Sequence, residues 1–426
     1  LPIVFVHGFS GSGQQYETQA LRWASNDYPN VVTAIDRTST LPATIYPILD
    51  QFFDNLMAQT GDSQVYVLGH SAGTAVMNGY LNSSPQRAAR VAKYIGIDGA
   101  TAATCPGAVP CMGIWARGNP ARMLGPDANA YFPEQGHTEV VGSAEAFTAQ
   151  YAFLTGKSPR TTLVLPEPPG QVQIGGRVLN YPANTGLEGA TVQVWELNAR
   201  TAKRKYDVPC AEFAVGASGN WGPASVNGRQ NYEIAVIRPE GSQQHFYFEP
   251  FIRSNFLIRL NLAPLGSALA QAIERSPNHS SVSIVRQKEW WGNHPVESDA
   301  LWIDTQRTGG PGASALNIIN GATAPLAGST IAIITFDSGS DGVSNTDALL
   351  PLGPFLSGVD VFYPAADPTD GVVTFLHQQR GTDKGQVIKA RNWPSEGHSM
   401  TVTFRNWVQD IDSWNKCVRA KPSPCH

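Results

Sequence analysis

The stretch Val65-Tyr66-Val67-Leu68-Gly69-His70-Ser71-Ala72-Gly73 runs from an apolar strand pattern into a G-x-S-x-G motif, which occurs once in the chain. Val65–Leu68 has the unbroken apolar character of a strand covered on both faces. Ala72–Leu81 follows at once with Ala75, Val76 and Tyr80 spaced for a helix packed on a sheet. A strand that bends directly into a helix crowds its own backbone, and side chains two residues either side of Ser71 would collide. Glycine at 69 and 73 relieves that crowding. The spacing therefore predicts a serine held on a strained bend with its hydroxyl projecting, as acyl transfer requires.

Working outward, strand-like runs at Ile3–Val6, Val31–Ile35, Tyr94–Ile97 and Ile114–Ala116 flank the motif, with helix-like runs between them. In ATIYPILDQFFDNLMAQ the residues Ile45, Leu49, Phe52, Phe53 and Leu56 share one helical face, and Ser143–Leu154 repeats the pattern with Phe147, Tyr151 and Leu154. This alternation predicts an α/β domain with a mainly parallel sheet over residues 1–157. Acyl transfer also needs donors for a developing oxyanion. The amide of Ala72 qualifies by position after Ser71. The second donor is assigned to Phe9, in the loop HGFSG that follows Ile3–Val6, with Ser10 the less favoured choice.

Beyond Gly156 the texture changes. Residues 158–171, SPRTTLVLPEPPGQ, form a proline-rich connector. Short alternating runs follow, at Thr191–Trp195, Tyr232–Ile237 and Phe256–Leu260, then at Ile331–Phe336, Val359–Tyr363, Val372–Leu376 and Met400–Phe404. They predict two all-β, antiparallel domains, a sandwich over 172–264 and a second sandwich or jelly roll over 265–426, with a short helix at Leu265–Glu274.

The composition agrees with a chain rich in turns: 42% of the 426 residues are hydrophobic, only 15% are charged, and there are 41 glycines and 31 prolines. A net charge of −4 gives no broad attraction for a phosphate backbone, so nucleic acid is not an expected partner. No apolar run reaches the ~20 residues that span a bilayer. The chain starts without Met, inside a strand-like run, so upstream sequence is expected to be missing. Cys105/Cys111 and Cys417/Cys425 bracket two short loops that suit disulfides, which fit secretion or the periplasm and leave Cys210 odd.

The motifs PIVFVHGF, VYVLGHSAG, YIGIDG and GHTEVVGSAEAF with FLTG together resemble those of α/β-hydrolase lipases. The likeness covers about the first 156 residues; over the remaining 270 it is one of layout, and that layout resembles the Archaeoglobus-type lipase group. The resemblance implies a lipase or esterase fold, an α/β-hydrolase domain followed by two sandwich-like domains. It also implies a triad in the chain order Ser, Asp, His. Ser71 becomes the nucleophile and His137 the base, because His137 follows a last strand at Asn129–Phe132 and precedes the closing helix. The acid is Asp98, delivered at the end of Tyr94–Ile97, with Asp127 as runner-up and Asp36 a structural strand-end residue. His398, in EGHSMTVTF, imitates the setting of His137 from the distal region, and His7 and His70 suit local hydrogen bonding and packing.

No cofactor or metal is expected. Asp337-Ser338-Gly339-Ser340-Asp341-Gly342 opens like a calcium loop, but Ala348 stands at its twelfth position and a plain turn is favoured. Phe9, Tyr16, Tyr46 and Trp115 suit either an acyl-binding mouth or core. Trp290-Trp291 and Phe246-Tyr247-Phe248 suit either docking to a lipid or polymer surface, or sandwich core. Three readings follow: a secreted ester hydrolase for lipid-like substrates, a lactone- or polyester-cleaving enzyme on the same triad, and an adhesion or binding protein with an inactive hydrolase domain.

Overall fold

A computed structural model describes residues 1–292, 298–304, 316–319 and 330–408. The chain forms two units. The first comprises Leu1–Leu165 together with Tyr181–Thr185 and Leu257–Arg259; the second holds the rest. The start of the proline-rich connector thus belongs to the first unit, where Thr162 accepts a hydrogen bond from Arg22 and Arg160 pairs with Asp27.

The first unit is built on six parallel strands, β1 (Ile3–Val6), β2 (Val32–Ile35), β3 (Val65–His70), β4 (Val91–Ile97), β5 (Cys111–Trp115) and β6 (Asn129–Tyr131). Their order in the sheet is β2-β1-β3-β4-β5-β6. Period-two alternation sorts the side chains to two faces. Among its helices are α1 (Glu17–Ser25), α2 (Pro42–Thr60) and α3 (Ala72–Ser83); Val4 and Val6 meet α2 and α3 through Ile45, Leu49, Phe53, Val76, Met77 and Tyr80. Ile3 and Phe5 face the opposite layer, which contains Trp23, Phe147 and Leu154.

The expected strand cores recur in place, several of them longer than predicted. Phe52 is half-buried beside the four fully buried residues of its helix. Ala75, expected against the sheet, is exposed, because the buried stripe of its helix passes through Val76, Met77, Tyr80 and Leu81 instead. Strand order reverses between β1 and β3. Their carboxyl ends open the crevice in which sheets of this kind accept ligands.

The second unit is β-rich, with a nine-stranded sheet and smaller sheets beside it. The long sheet is mixed, not antiparallel as expected. Gln243–Phe248 and Val282–Val285 both run parallel to His398–Thr403, and Thr330–Phe336 runs parallel to Phe355–Asp360. Parallel neighbours need long crossovers, so their pairing leaves no local turn signature. The predicted strand Val359–Tyr363 lies at Phe355–Asp360, and the helix predicted at Leu265–Glu274 is confined to Ala268–Ala272.

Four histidines in the two units stay neutral because burial pulls their pKa values down: His7 and His398 to about 4, His70 and His377 to about 3. An unfolded imidazole takes up its proton near 6.5, so below that pH the unfolded chain binds protons that the folded one refuses. Stability from these groups is complete above about pH 6.5 and is lost as the pH falls toward 4. The thermal midpoint should drop by several degrees between about pH 7 and about pH 4.5. Calorimetry at low ionic strength reads it, and a midpoint flat across that window would contradict the burial argument.

Candidate active site

Ser71 sits between β3 and α3 with φ 53° and ψ −123°, a backbone conformation that costs free energy for a residue with a side chain. The surroundings hold it there. A Cβ at position 73 would lie 2.3 Å from the Val6 carbonyl oxygen and 2.7 Å from that of His7, so α3 crosses the end of β1 with no space between them. A Cβ at position 8 would lie 2.8 Å from that of Ser71, which puts the loop after β1 directly against the serine. The Ser71 N–H donates to the Ile97 carbonyl at 2.9 Å, and the Ser71 carbonyl accepts from the Thr74 hydroxyl at 2.6 Å. The bend is thereby pinned to the end of β4.

Asp98 begins at that end. Its side chain is almost fully buried, and Oδ2 accepts from His137 Nδ1 at 2.5 Å. Oδ1 accepts from the Ala116 N–H at 2.9 Å and from the Arg122 guanidinium at 2.7 Å. Arg122 in turn lies 5.1 Å over the Trp115 ring. Burial pushes the Asp98 carboxyl up. The His137 imidazole, the Ala116 amide and the Arg122 cation together outweigh it, and the carboxyl is held below its ordinary range. An ionised carboxylate only accepts, so His137 Nδ1 carries the proton between them.

The His137 loop is tied to the residue before Ser71. His70 Nε2 donates to the His137 carbonyl at 2.9 Å, and the two rings lie 4.6 Å apart. Burial, followed by the neighbouring His137, lowers His70 to about 3, so it serves as a neutral tether. The His137 side chain is one-third exposed. Ala72 opens α3, whose first-turn amides have no partner within the helix. Phe9, at 63% exposure, is the outermost residue of the loop beside the serine.

Asp98 and His137 therefore meet each other beside the Ser71 bend. His398 does not join them: it accompanies His245 at 2.9 Å in the second unit, where His245 also bonds Glu233 and stacks on Trp393. Asp127 is exposed. Asp36 is a strand-end support, accepting from the Gly13 N–H and from Arg259. Tyr16 and Trp115 are core, not mouth: Tyr16 stacks on Phe5 and donates to Gln150. Trp290, Trp291 and the run Phe246–Phe248 are buried, which is the core alternative of the two that the sequence left open.

The calcium-like stretch is a turn whose amides bond Asp337, Asp360 and Glu274. No cluster of three or more metal-ligating side chains occurs among the described residues. Cys105 and Cys111 form a disulfide; Cys210 is also disulfide-bonded, not odd, and Cys417 and Cys425 lie outside the described residues. Sequence reasoning missed Arg122. The loop after β5 contributes a cation that grips the carboxylate at the end of the neighbouring strand.

A family model described as a lipase C-terminal domain matches residues 170–264, and a second, described as a C-terminal domain, matches 268–408. Each covers less than half of the chain. No curated protein sequence matches. Among solved structures, a gene product of Listeria innocua is 10% identical, over 38% of this chain and 96% of its own, with a TM-score of 0.31. The pyrethroid hydrolase PytH is 21% identical, over 29% and 48%, with a TM-score of 0.19. The Bacillus licheniformis lipase BlEst2, in its propeptide form, is 11% identical, over 93% and 94%, with a TM-score of 0.26. At such TM-scores the likenesses decide neither fold nor function.

The close approach at Gly73 is directly testable. Gly73→Ala should destabilise the first unit by about 1–3 kcal/mol, because the added methyl meets two backbone carbonyls that have no room to retreat. Denaturant unfolding measures this; a variant as stable as the parent would show that the crossing is looser than its distances.

Proposed function

We propose that the chain is a serine hydrolase of carboxylic esters, acting on lipid-like substrates through Ser71, His137 and Asp98. The observation that carries the reading is the buried Asp98 carboxylate bonded to His137, whose loop is anchored to the residue preceding a strained serine. In the mechanism, His137 Nε2 takes the Ser71 hydroxyl proton as Oγ attacks the ester carbonyl. The amides of Phe9 and Ala72 hold the tetrahedral oxyanion. The imidazolium, stabilised by Asp98, then protonates the departing alcohol. Water, activated by the same imidazole, clears the acyl-enzyme. Arg122 keeps Asp98 ionised and oriented throughout.

The match of residues 170–264 to a lipase C-terminal domain supports a lipid-like ester as substrate. The disulfide bonds support an oxidising compartment, outside the cell or in the periplasm. Among the described residues no helix is long and apolar enough to cross a membrane. We propose further that residues 172–264 and 265–426 act together as an accessory region, since Gln243–Phe248 and His398–Thr403 pair in one sheet.

Ser71→Ala should abolish both ester hydrolysis and labelling by a fluorophosphonate. His137→Ala and Asp98→Asn should each lower kcat by about 10⁴, whereas His398→Ala should leave it within about twofold of the parent. Steady-state kinetics on p-nitrophenyl esters check all three, and the reverse pattern for the two histidines would overturn the site. The substrate class is read from rates on esters of rising chain length, emulsified triglyceride and a macrocyclic lactone. A rise in rate with acyl length is expected; a steep preference for the lactone would remove the lipid assignment.

A further inference from the structure

The loop that lies against Ser71 is held from beneath by a residue far along the chain. Asn184 is buried, with φ 59°, in the segment Tyr181–Thr185 that belongs to the first unit. Its Nδ2 donates to the Gly11 carbonyl at 2.8 Å, lies 3.2 Å from His7 Nε2, and reaches the Arg37 carbonyl at 3.4 Å. All three are acceptors, so the amide must present its NH2 face there. His7 Nε2 also accepts the Arg37 N–H at 3.0 Å. With two donors on Nε2, the ring proton resides on Nδ1, and Nδ1 donates to the Gly8 carbonyl at 2.7 Å.

That bond has a directional consequence. In a planar trans peptide the carbonyl of one residue and the N–H of the next point in opposite directions. Fixing the Gly8 carbonyl toward His7 turns the Phe9 N–H the other way, on the loop that a Cβ at position 8 would drive into Ser71. We infer that Asn184 is a positioning residue for the oxyanion site, acting through His7 on the Gly8–Phe9 peptide; the inference rests on the hydrolase reading above. Burial lowers His7 to about 4, so the ring stays neutral and keeps this tautomer near neutral pH. The hydrolase domain thus depends on a turn encoded beyond the proline-rich connector.

Two variants of the full chain test this. Asn184→Gly removes the side chain while tolerating the positive φ, and Asn184→Asp keeps the shape but sets a carboxylate oxygen against two carbonyls. The readouts are the inhibition constants of an alkyl boronic acid, which forms a tetrahedral adduct on the serine, and of the product carboxylic acid. Both variants should weaken the boronic acid by about tenfold or more, with kcat falling in parallel and the product acid within about twofold of its parent value. A merely structural role lowers the active fraction and leaves both inhibition constants unchanged; that result, or a rise in KM with kcat intact, would overturn the inference. Undiminished hydrolysis by Ser71→Ala would instead overturn the functional reading, and this inference with it.

Discussion

Everything at the site depends on the absence of space where α3 crosses the end of β1. Position 73 lies so close to the Val6 and His7 carbonyls that any side chain there would part the two elements. Because the crossing is tight, the bend at Ser71 has nowhere to relax, and its positive φ is carried by the close contact of α3 with β1 and not by local preference. The same closeness places the loop after β1 against the serine. A crossing wider by an ångström would part Ser71 from the loop after β1.

Around that crossing the site is assembled by hydrogen bonds between strand ends. β4 holds the Ser71 amide through Ile97 and supplies Asp98 one residue later; β5 contributes the Ala116 amide and, through its following loop, Arg122. His137 reaches the site on a segment tethered by His70. Each titratable group keeps one protonation state near neutral pH for a local reason: His7 and His70 through burial, Asp98 through its three donors against burial. His137 is the partly exposed member of the group.

Much of this was legible before any coordinates, for a physical reason. The bend, the glycines and the apolar strands are short-range constraints, and a constraint among neighbours leaves its mark in neighbouring letters. The pairing of Asp98 with His137 was legible because strand ends are recognisable. Arg122, Arg259 and Asn184 were not, since each acts on a partner distant in sequence and nothing in its own neighbourhood requires it. The distal sheet was misread for a related reason: Gln243–Phe248 finds its parallel neighbour at His398–Thr403, across a separation no turn motif records. Ala75 and Val76 show the limit of helical periodicity, which locates a stripe to within one residue.

The central claim is geometric: one hydroxyl, one imidazole and two backbone amides converge on a single reacting carbon. The most direct measurement is a crystal structure of the chain after reaction with an alkyl phosphonate ester. The account predicts phosphorus bonded to Ser71 Oγ, its free oxygen about 3 Å from the Phe9 and Ala72 nitrogens, and His137 Nε2 within hydrogen-bonding distance of Oγ. Phosphorus on another residue, or an oxygen turned away from both amides, would contradict it.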